Sequence, residues 1–290
     1  MKSASLFMTP TTHRAFVMKA FKNSKKLLFG KLFLGLLAVM AMGLMQVDAQ
    51  ITGPFVEGSG STQWTLGYND ASGTHGPIIS LLTGNLEITQ NLAGTEGTSG
   101  YYNTKQDISN SFSASFTWTL NTAAGADGFL FSIQNSSLTP LAGRGYMNGS
   151  ALGYSSGVSI GLENYVGSAP QLQLVVNGST TSVDLSTSGL NYVTAGKIIN
   201  FNIAYNGSNS FSVDLTQAGA STFHHDFALG SSLASKIGAS TSYVGFTGGA
   251  GGARESQIIS NFNMVPEPGT WMLLALTGTF FMVTRRRRRD

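Results

Sequence analysis

Ala126-Asp127-Gly128-Phe129-Leu130-Phe131-Ser132-Ile133-Gln134-Asn135 is the stretch on which the fold turns. From Phe129 onward, successive side chains of an extended strand point to opposite faces. Phe129, Phe131 and Ile133 therefore share one face, and Leu130, Ser132 and Gln134 the other. The first face is fit for a core. Asp127 stands at the mouth of this strand between Ala126 and Gly128, where little side-chain bulk screens its carboxylate. Asp-Gly is also an ordinary turn pair before a strand, so the rest of the chain decides between a turn and a site.

Outward from that strand, between residues 50 and 264, short alternating runs recur and no stretch has a convincing helical period. Strands are expected at 78–82, 85–90, 111–120, 128–134, 157–164, 171–176, 180–184, 198–205, 210–216, 242–247 and 256–264, separated by Gly, Asn and Ser clusters. Asn177-Gly178 is a two-residue hairpin signal, and Asn206-Gly207-Ser208-Asn209 marks a second hairpin with a longer loop. The aromatics Phe112, Phe116, Trp118, Phe201 and Phe246 fall in the alternating runs and are assigned to the core. Strands with no intervening helix imply an all-β domain of two antiparallel sheets packed face to face. No repeat of fixed period points to a propeller or solenoid.

The net charge of +3 would favour a nucleic-acid or membrane partner were it spread over the domain, but it is not. Seven of the seventeen basic residues precede residue 32 and five more are Arg285 to Arg289. Residues 50–264 hold eleven acids against five basic side chains, a net of −6, so nucleic-acid binding loses its electrostatic support. The 36 glycines with abundant Ser, Thr and Asn suit a turn-rich exported β-protein. The absence of cysteine excludes disulfides, zinc-thiolate sites and cysteine catalysis.

Both ends read as addresses. Residues 1–49 form an expected signal peptide: lysines 19, 22, 25, 26 and 31 precede an apolar run from Leu32 to Met42, and Val47-Asp48-Ala49 offers a cleavage site before Gln50. The basic leader is long, which leaves Met1 or Met18 as the start. Residues 265–290 begin Val265-Pro266-Glu267-Pro268-Gly269, continue as an apolar stretch from Trp271 to Val283, and end in the five arginines. Prolines stop the preceding strand, and the arginines hold the end of a short membrane helix on the cytoplasmic side. The order of Pro266, Glu267 and Pro268, apolar helix and basic terminus resembles the PEP-CTERM sorting signal of Gram-negative bacteria. That resemblance implies an exosortase-type membrane enzyme as partner, a membrane-held intermediate, cleavage near the motif, and release or transfer to the outer surface, often alongside exopolysaccharide production.

The order of segments in 50–264 resembles the L-type (legume-type) lectins and their concanavalin-like jelly-roll sandwich. Ile78 to Thr83 and Tyr101-Tyr102 resemble the paired early strands. Ser111 to Trp118 resembles the long strand before the Ala-Asp-Gly turn, and Ala126 to Asn135 that turn and its strand. Leu141-Ala142-Gly143-Arg144-Gly145 stands in the place of the glycine-rich sugar-side loop, and Val158 to Tyr165 in that of the metal strand. Tyr243 to Gly248 and Ser256 to Phe262 resemble the last two strands.

The resemblance implies a carbohydrate site. Asp127 would accept hydrogen bonds from sugar hydroxyls, as a carboxylate does with charge assistance. The backbone N–H groups of Gly143, Arg144 and Gly145 would donate, the Arg144 guanidinium would add to them, and Tyr165 or Tyr146 would offer a flat apolar surface. Arg254, beside the Gly248–Gly252 hairpin tip, is a further contact. The family's metal strand carries alternating acids, and here they fall on Gly161 and Glu163; the asparagine that follows in the pattern falls near Gly167, and its histidine is Gln171. A transition-metal pair is therefore absent from the pattern. Glu163, with the Tyr165 carbonyl, Asn164 and Asp127 through water, makes at most a calcium site, and no other cofactor is called for. The expected function is non-catalytic binding of a polysaccharide or glycan, with two rivals: a structural matrix or adhesion module without sugar binding, and a glycoside hydrolase. Hydrolysis needs two suitably spaced carboxylates, and no alternating run of acids supplies them. His224-His225-Asp226 reads as a polar strand edge or loop.

Overall fold

The computed structural model describes residues 50–70, 76–92, 96–122, 125, 127–139, 154, 156–165 and 168–267. The leader 1–49, the loop carrying Gly143, Arg144 and Gly145, and the tail from Pro268 onward lie outside these residues. Among the described residues the chain forms two antiparallel sheets of eight strands each, the concanavalin-like sandwich expected.

In the first sheet the path is β14 (Phe223–Ala228), β13 (Ser210–Thr216), β12 (Ile198–Tyr205), β7 (Phe112–Leu120), β16 (Gln257–Pro266), β4 (Leu86–Thr89) and β3 (Ile78–Ile79), with β1 (Ile51–Thr52) also on β16. In the second the path is β11 (Ser179–Asp184), β10 (Gln171–Val176), β9 (Gly157–Glu163), β8 (Gly128–Gln134), β15 (Thr241–Ala250), β5 (Glu96–Tyr102) and β2 (Trp64–Asp70), with β6 (Gln106–Asp107) also on β15. The alternation that predicts β7 is visible in its burial, every second residue from Phe112 to Leu120 being buried. Strand β8 differs: all seven of its residues are buried. Phe129, Phe131 and Ile133 belong to the core between the sheets. On the other face Leu130 packs with Tyr154 and Val175, and Ser132 meets Ser159 and the Tyr154 hydroxyl.

The two sheets are joined by aromatic rings. Phe116 of the first sheet lies edge-on to Phe129 and Phe246 of the second, at 5.8 and 5.0 Å. Phe116 also stacks on Phe201 of its own sheet at 4.7 Å. All five aromatics assigned to the core are buried. Asn177 (φ 48°) and Gly178 (φ 87°) close the β10–β11 hairpin with both central residues in the left-handed region, the geometry a two-residue loop needs to match strand twist.

Some elements depart from expectation. The sequence marks β14 only as a polar strand edge or loop at His224-His225-Asp226, and gives no sign of β2 or of the short helix α1 (Leu233–Ile237), capped by Ser232 and ended by Gly238 in the left-handed region. Five residues are too few to show a period. Gly248 and Gly249, expected in a flexible hairpin tip, lie inside β15, where Gly249 pairs with Gly97 on one side and Gly128 on the other.

Candidate functional site

Asp127 is held at the start of β8 by backbone bonds on both sides. Its N–H donates to the Gly249 carbonyl at 2.9 Å, and its own carbonyl accepts the Asn164 N–H at 3.0 Å. Gly128 follows with φ +123°, and a Cβ there would fall 1.9 Å from the Leu162 carbonyl oxygen, so β8 and β9 meet here only because glycine stands at this place. Gly128 and Glu163 are directly paired across these two strands. Asp127, Glu163, Asn164 and Tyr165 thus share one end of the second sheet, as the sequence reading places them.

The segment just before β16 closes this end from the inside. Glu255 is wholly buried, and its Oε2 accepts the Gly125 N–H at 3.0 Å and the Asn164 Nδ2–H at 3.2 Å. Gln257 is buried as well. Its Nε2 donates to the Gly128 carbonyl at 3.1 Å, and its Oε1 accepts the Trp118 indole N–H at 3.0 Å. In the sequence Glu255 is one of the eleven acids of 50–264, and Gln257 one residue of the strand expected at 256–264. No local pattern marks either, since their partners lie more than ninety residues away.

Three carboxyls therefore gather without a basic partner among the described residues. Asp127 is 9% exposed, and its Oδ2 is buried with no hydrogen-bond partner among those residues; the same holds for Glu255 Oε1. Burial, reinforced by the charge of Glu163, pushes the Asp127 carboxyl up to about 7. Burial likewise pushes Glu255 up to about 7, with the Gly125 N–H opposing the shift and the charge of Asp127 adding to it. Glu163 is raised by burial and accepts from the Gln173 amide. Tyr165 is half exposed, and Arg254 is exposed beside Glu255.

The metal arrangement implied by the resemblance does not fit these residues. A Cβ at position 161 would lie 2.0 Å from the Phe129 carbonyl oxygen and 2.7 Å from the Leu130 Cα, so no acid can stand where the first ligand belongs. Among the described residues, no three His, Cys, Asp or Glu side chains are grouped so as to hold a metal ion. The further ligand position, Gln171, pairs with Glu163 and Asp184 in the sheet.

Two other patterns resolve into structure. A Gly-x-Ser-x-Gly elbow is not expected from the sequence reading, yet Gly157-Val158-Ser159-Ile160-Gly161 has that spacing; all five residues lie within β9. No strand-to-helix turn exposes the serine, and Ser159 bonds Ser132 and Tyr154. In β14, His224 bonds Asp214 at 2.7 Å on the exposed sheet edge while His225 lies against Phe227. The two histidines face different ways, as neighbours on a strand must.

Against known proteins, residues 265–289 match the PEP-CTERM protein-sorting motif. No curated protein matches the sequence at large. Among solved structures, lectin II from Ulex europaeus is similar, with 17% identity over 77% of this chain and 100% of that chain and a TM-score of 0.60. The lectin from Bauhinia forficata in complex with GalNAc has 16% identity over 76% of this chain and 98% of that chain, with a TM-score of 0.56. Arcelin-5, a lectin-like defense protein from Phaseolus vulgaris, has 14% identity over 76% and 99%, with a TM-score of 0.56. Such identities establish a legume-lectin-like fold. The tail adds a PEP-CTERM sorting motif, which indicates export and sorting.

Proposed function

We propose that the chain is an exported, surface-sorted, non-catalytic protein that binds carbohydrate, in particular extracellular polysaccharide, with Asp127 as the acceptor of sugar hydroxyls. On this reading residues 1–49 are a cleaved signal peptide and 50–264 the binding domain. An exosortase-type enzyme then acts at Pro266, Glu267 and Pro268 while the C-terminal helix holds the chain in the membrane. The observation that carries the reading is the immobilised Asp127. Its backbone is bonded on both sides by protein atoms, and the residue keeps 9% of its surface exposed at the mouth of β8 although its Oδ2 is buried. A preorganised acceptor gives up little freedom when it meets a hydroxyl. Tyr165, half exposed next to Asn164, supplies apolar surface at the same end. The loop with Gly143, Arg144 and Gly145 is assigned the donor role by its place in the chain.

The cluster of carboxyls invites the hydrolase reading, since glycoside hydrolysis needs two carboxyls about 5–10 Å apart with one protonated. Glu255 has no solvent-facing surface, so it cannot reach a glycosidic oxygen, which favours binding over cleavage. The second reading, a matrix or adhesion module without a sugar site, draws on the burial of Asp127 Oδ2. A glycan array with the full-length protein and its Asp127→Ala variant separates the three. Binding that Asp127→Ala abolishes supports the lectin reading. No binding to any polysaccharide supports the module, and reducing ends released from a bound glucan support the hydrolase.

A further inference from the structure

A carboxylate with no exposed surface and no ion-pair partner among the described residues costs free energy, and such a group persists where its hydrogen bonds perform a task. Glu255 makes two of them, both through Oε2, to Gly125 N–H and Asn164 Nδ2–H. Neither partner is incidental. Gly125 lies two residues before Asp127, and its backbone is pressed so closely on the 254–255 segment that a Cβ would fall 1.9 Å from the Arg254 carbonyl oxygen. Asn164 is buried and serves as a hub: its N–H holds the Asp127 carbonyl, and its side-chain amide donates to Glu255 and to the Tyr192 carbonyl at 2.9 Å.

We propose that Glu255 is the positioning residue of this site: its buried carboxylate ties Gly125 to Asn164, and through them fixes the backbone of Asp127 without the help of an ion. The inference rests on the carbohydrate reading only for what Asp127 does once it is fixed. Gln257, two residues on, completes the brace by holding the Gly128 carbonyl. The turn is thus gripped on both sides of Asp127 from one segment of chain. A carboxylate suits the task because one oxygen accepts two N–H donors that converge from different strands. A glutamine can do the same through its amide oxygen, whereas a leucine of similar volume leaves both donors unsatisfied.

The test is amide hydrogen exchange on the full-length protein and its Glu255→Gln and Glu255→Leu variants, followed by glycan binding. In Glu255→Leu, the amides of Gly125 and Asn164 should exchange at least tenfold faster while those of Phe131 and Ile160 in the core keep their rates. Glu255→Gln should match the parent at all four. Acceleration of the core amides as well would mean general destabilisation and overturn the positioning role. So would unchanged rates at Gly125 and Asn164, or a Glu255→Gln variant as fast as Glu255→Leu. Should Glu255→Leu not fold, the parent itself decides: Gly125 and Asn164 must open with one common rate, and unrelated rates overturn the proposal. Where the parent binds a glycan, Glu255→Leu should weaken binding tenfold or more and Glu255→Gln less than threefold, and equal losses in the two would overturn it. If the exchange result holds and no glycan binds, the carbohydrate reading fails and the brace stands.

Discussion

Removing the two buried carboxyls should change how stability depends on pH. Asp127 is raised from 3.8 to about 7 and Glu255 from 4.5 to about 7, each chiefly by burial. An acid whose folded pKa lies above its unfolded value binds more protons in the folded state across that window. Its contribution is fully present below the unfolded pKa and is lost as pH rises through the folded one, so stability falls between about pH 4 and 7. At about 1.4 kcal/mol per unit, Glu255 alone accounts for roughly 3 kcal/mol. Asp127 would give about 4 kcal/mol if fully shielded, but its residual exposure screens it, and part of its shift is the charge of Glu163 while part of the Glu255 shift is the charge of Asp127, which leaves about 3–4 kcal/mol for the pair. Urea denaturation of the parent at about pH 5 and about pH 8 should therefore show a loss of roughly 3 kcal/mol, which the Asp127→Asn, Glu255→Gln double variant cuts to about 1 kcal/mol or less. Glu163, raised by burial, and His224, raised by its bond to Asp214, slope the same way, but they are common to both proteins and cancel in the difference. A double variant with the parent's pH slope, or a parent that gains stability over this range, would refute the reasoning.

Two further outcomes follow from packing. Gly161→Asp restores the acid of the metal pattern but drives a Cβ to 2.0 Å from the Phe129 carbonyl; it should cost about 3 kcal/mol or more by overpacking, with a melting temperature that neither calcium nor a chelator moves, and a stable variant that calcium raises would show that the strands can part. Phe129→Ala removes a fully buried ring that packs with Phe116, Trp118 and Phe201, and should lower stability by about 3–5 kcal/mol in urea titration, a loss under about 1 kcal/mol being incompatible with its place in the core.

The elements legible in the sequence are those whose two faces differ in residue type or in burial. Phe112 to Leu120 alternates in letters because it alternates in burial, and 128–134, 171–176, 198–205 and 210–216 all have the bounds expected from pattern. Glu96–Tyr102 showed only its last two tyrosines, because Gly97, Thr98, Ser99 and Gly100 lie between β2 and β15 as small buried residues with no apolar period. The same small-residue packing hid the end of β15, where Gly248 leaves room for Thr89 and Ile88 from the other sheet. Among the candidate residues, Asp127 is picked out by its turn, and Glu163 and Tyr165 by the resemblance of their segment to the lectin metal strand. Glu255 is not, because what distinguishes it from the exposed Arg254 beside it is burial against strands more than ninety residues distant.

Strand β16 begins next to the brace and ends at Pro266, where the sorting motif starts. Along the way it is bonded to β7 on one side and to β4 and β1 on the other, over about 30 Å at the usual rise per residue. A pull on the tail therefore enters along the axis of an interior strand, and a pull on Asp127 enters near that strand's opposite end. The two forces load its ladder in shear, so many hydrogen bonds must give way together, whereas an edge strand peeled from its end yields them one at a time.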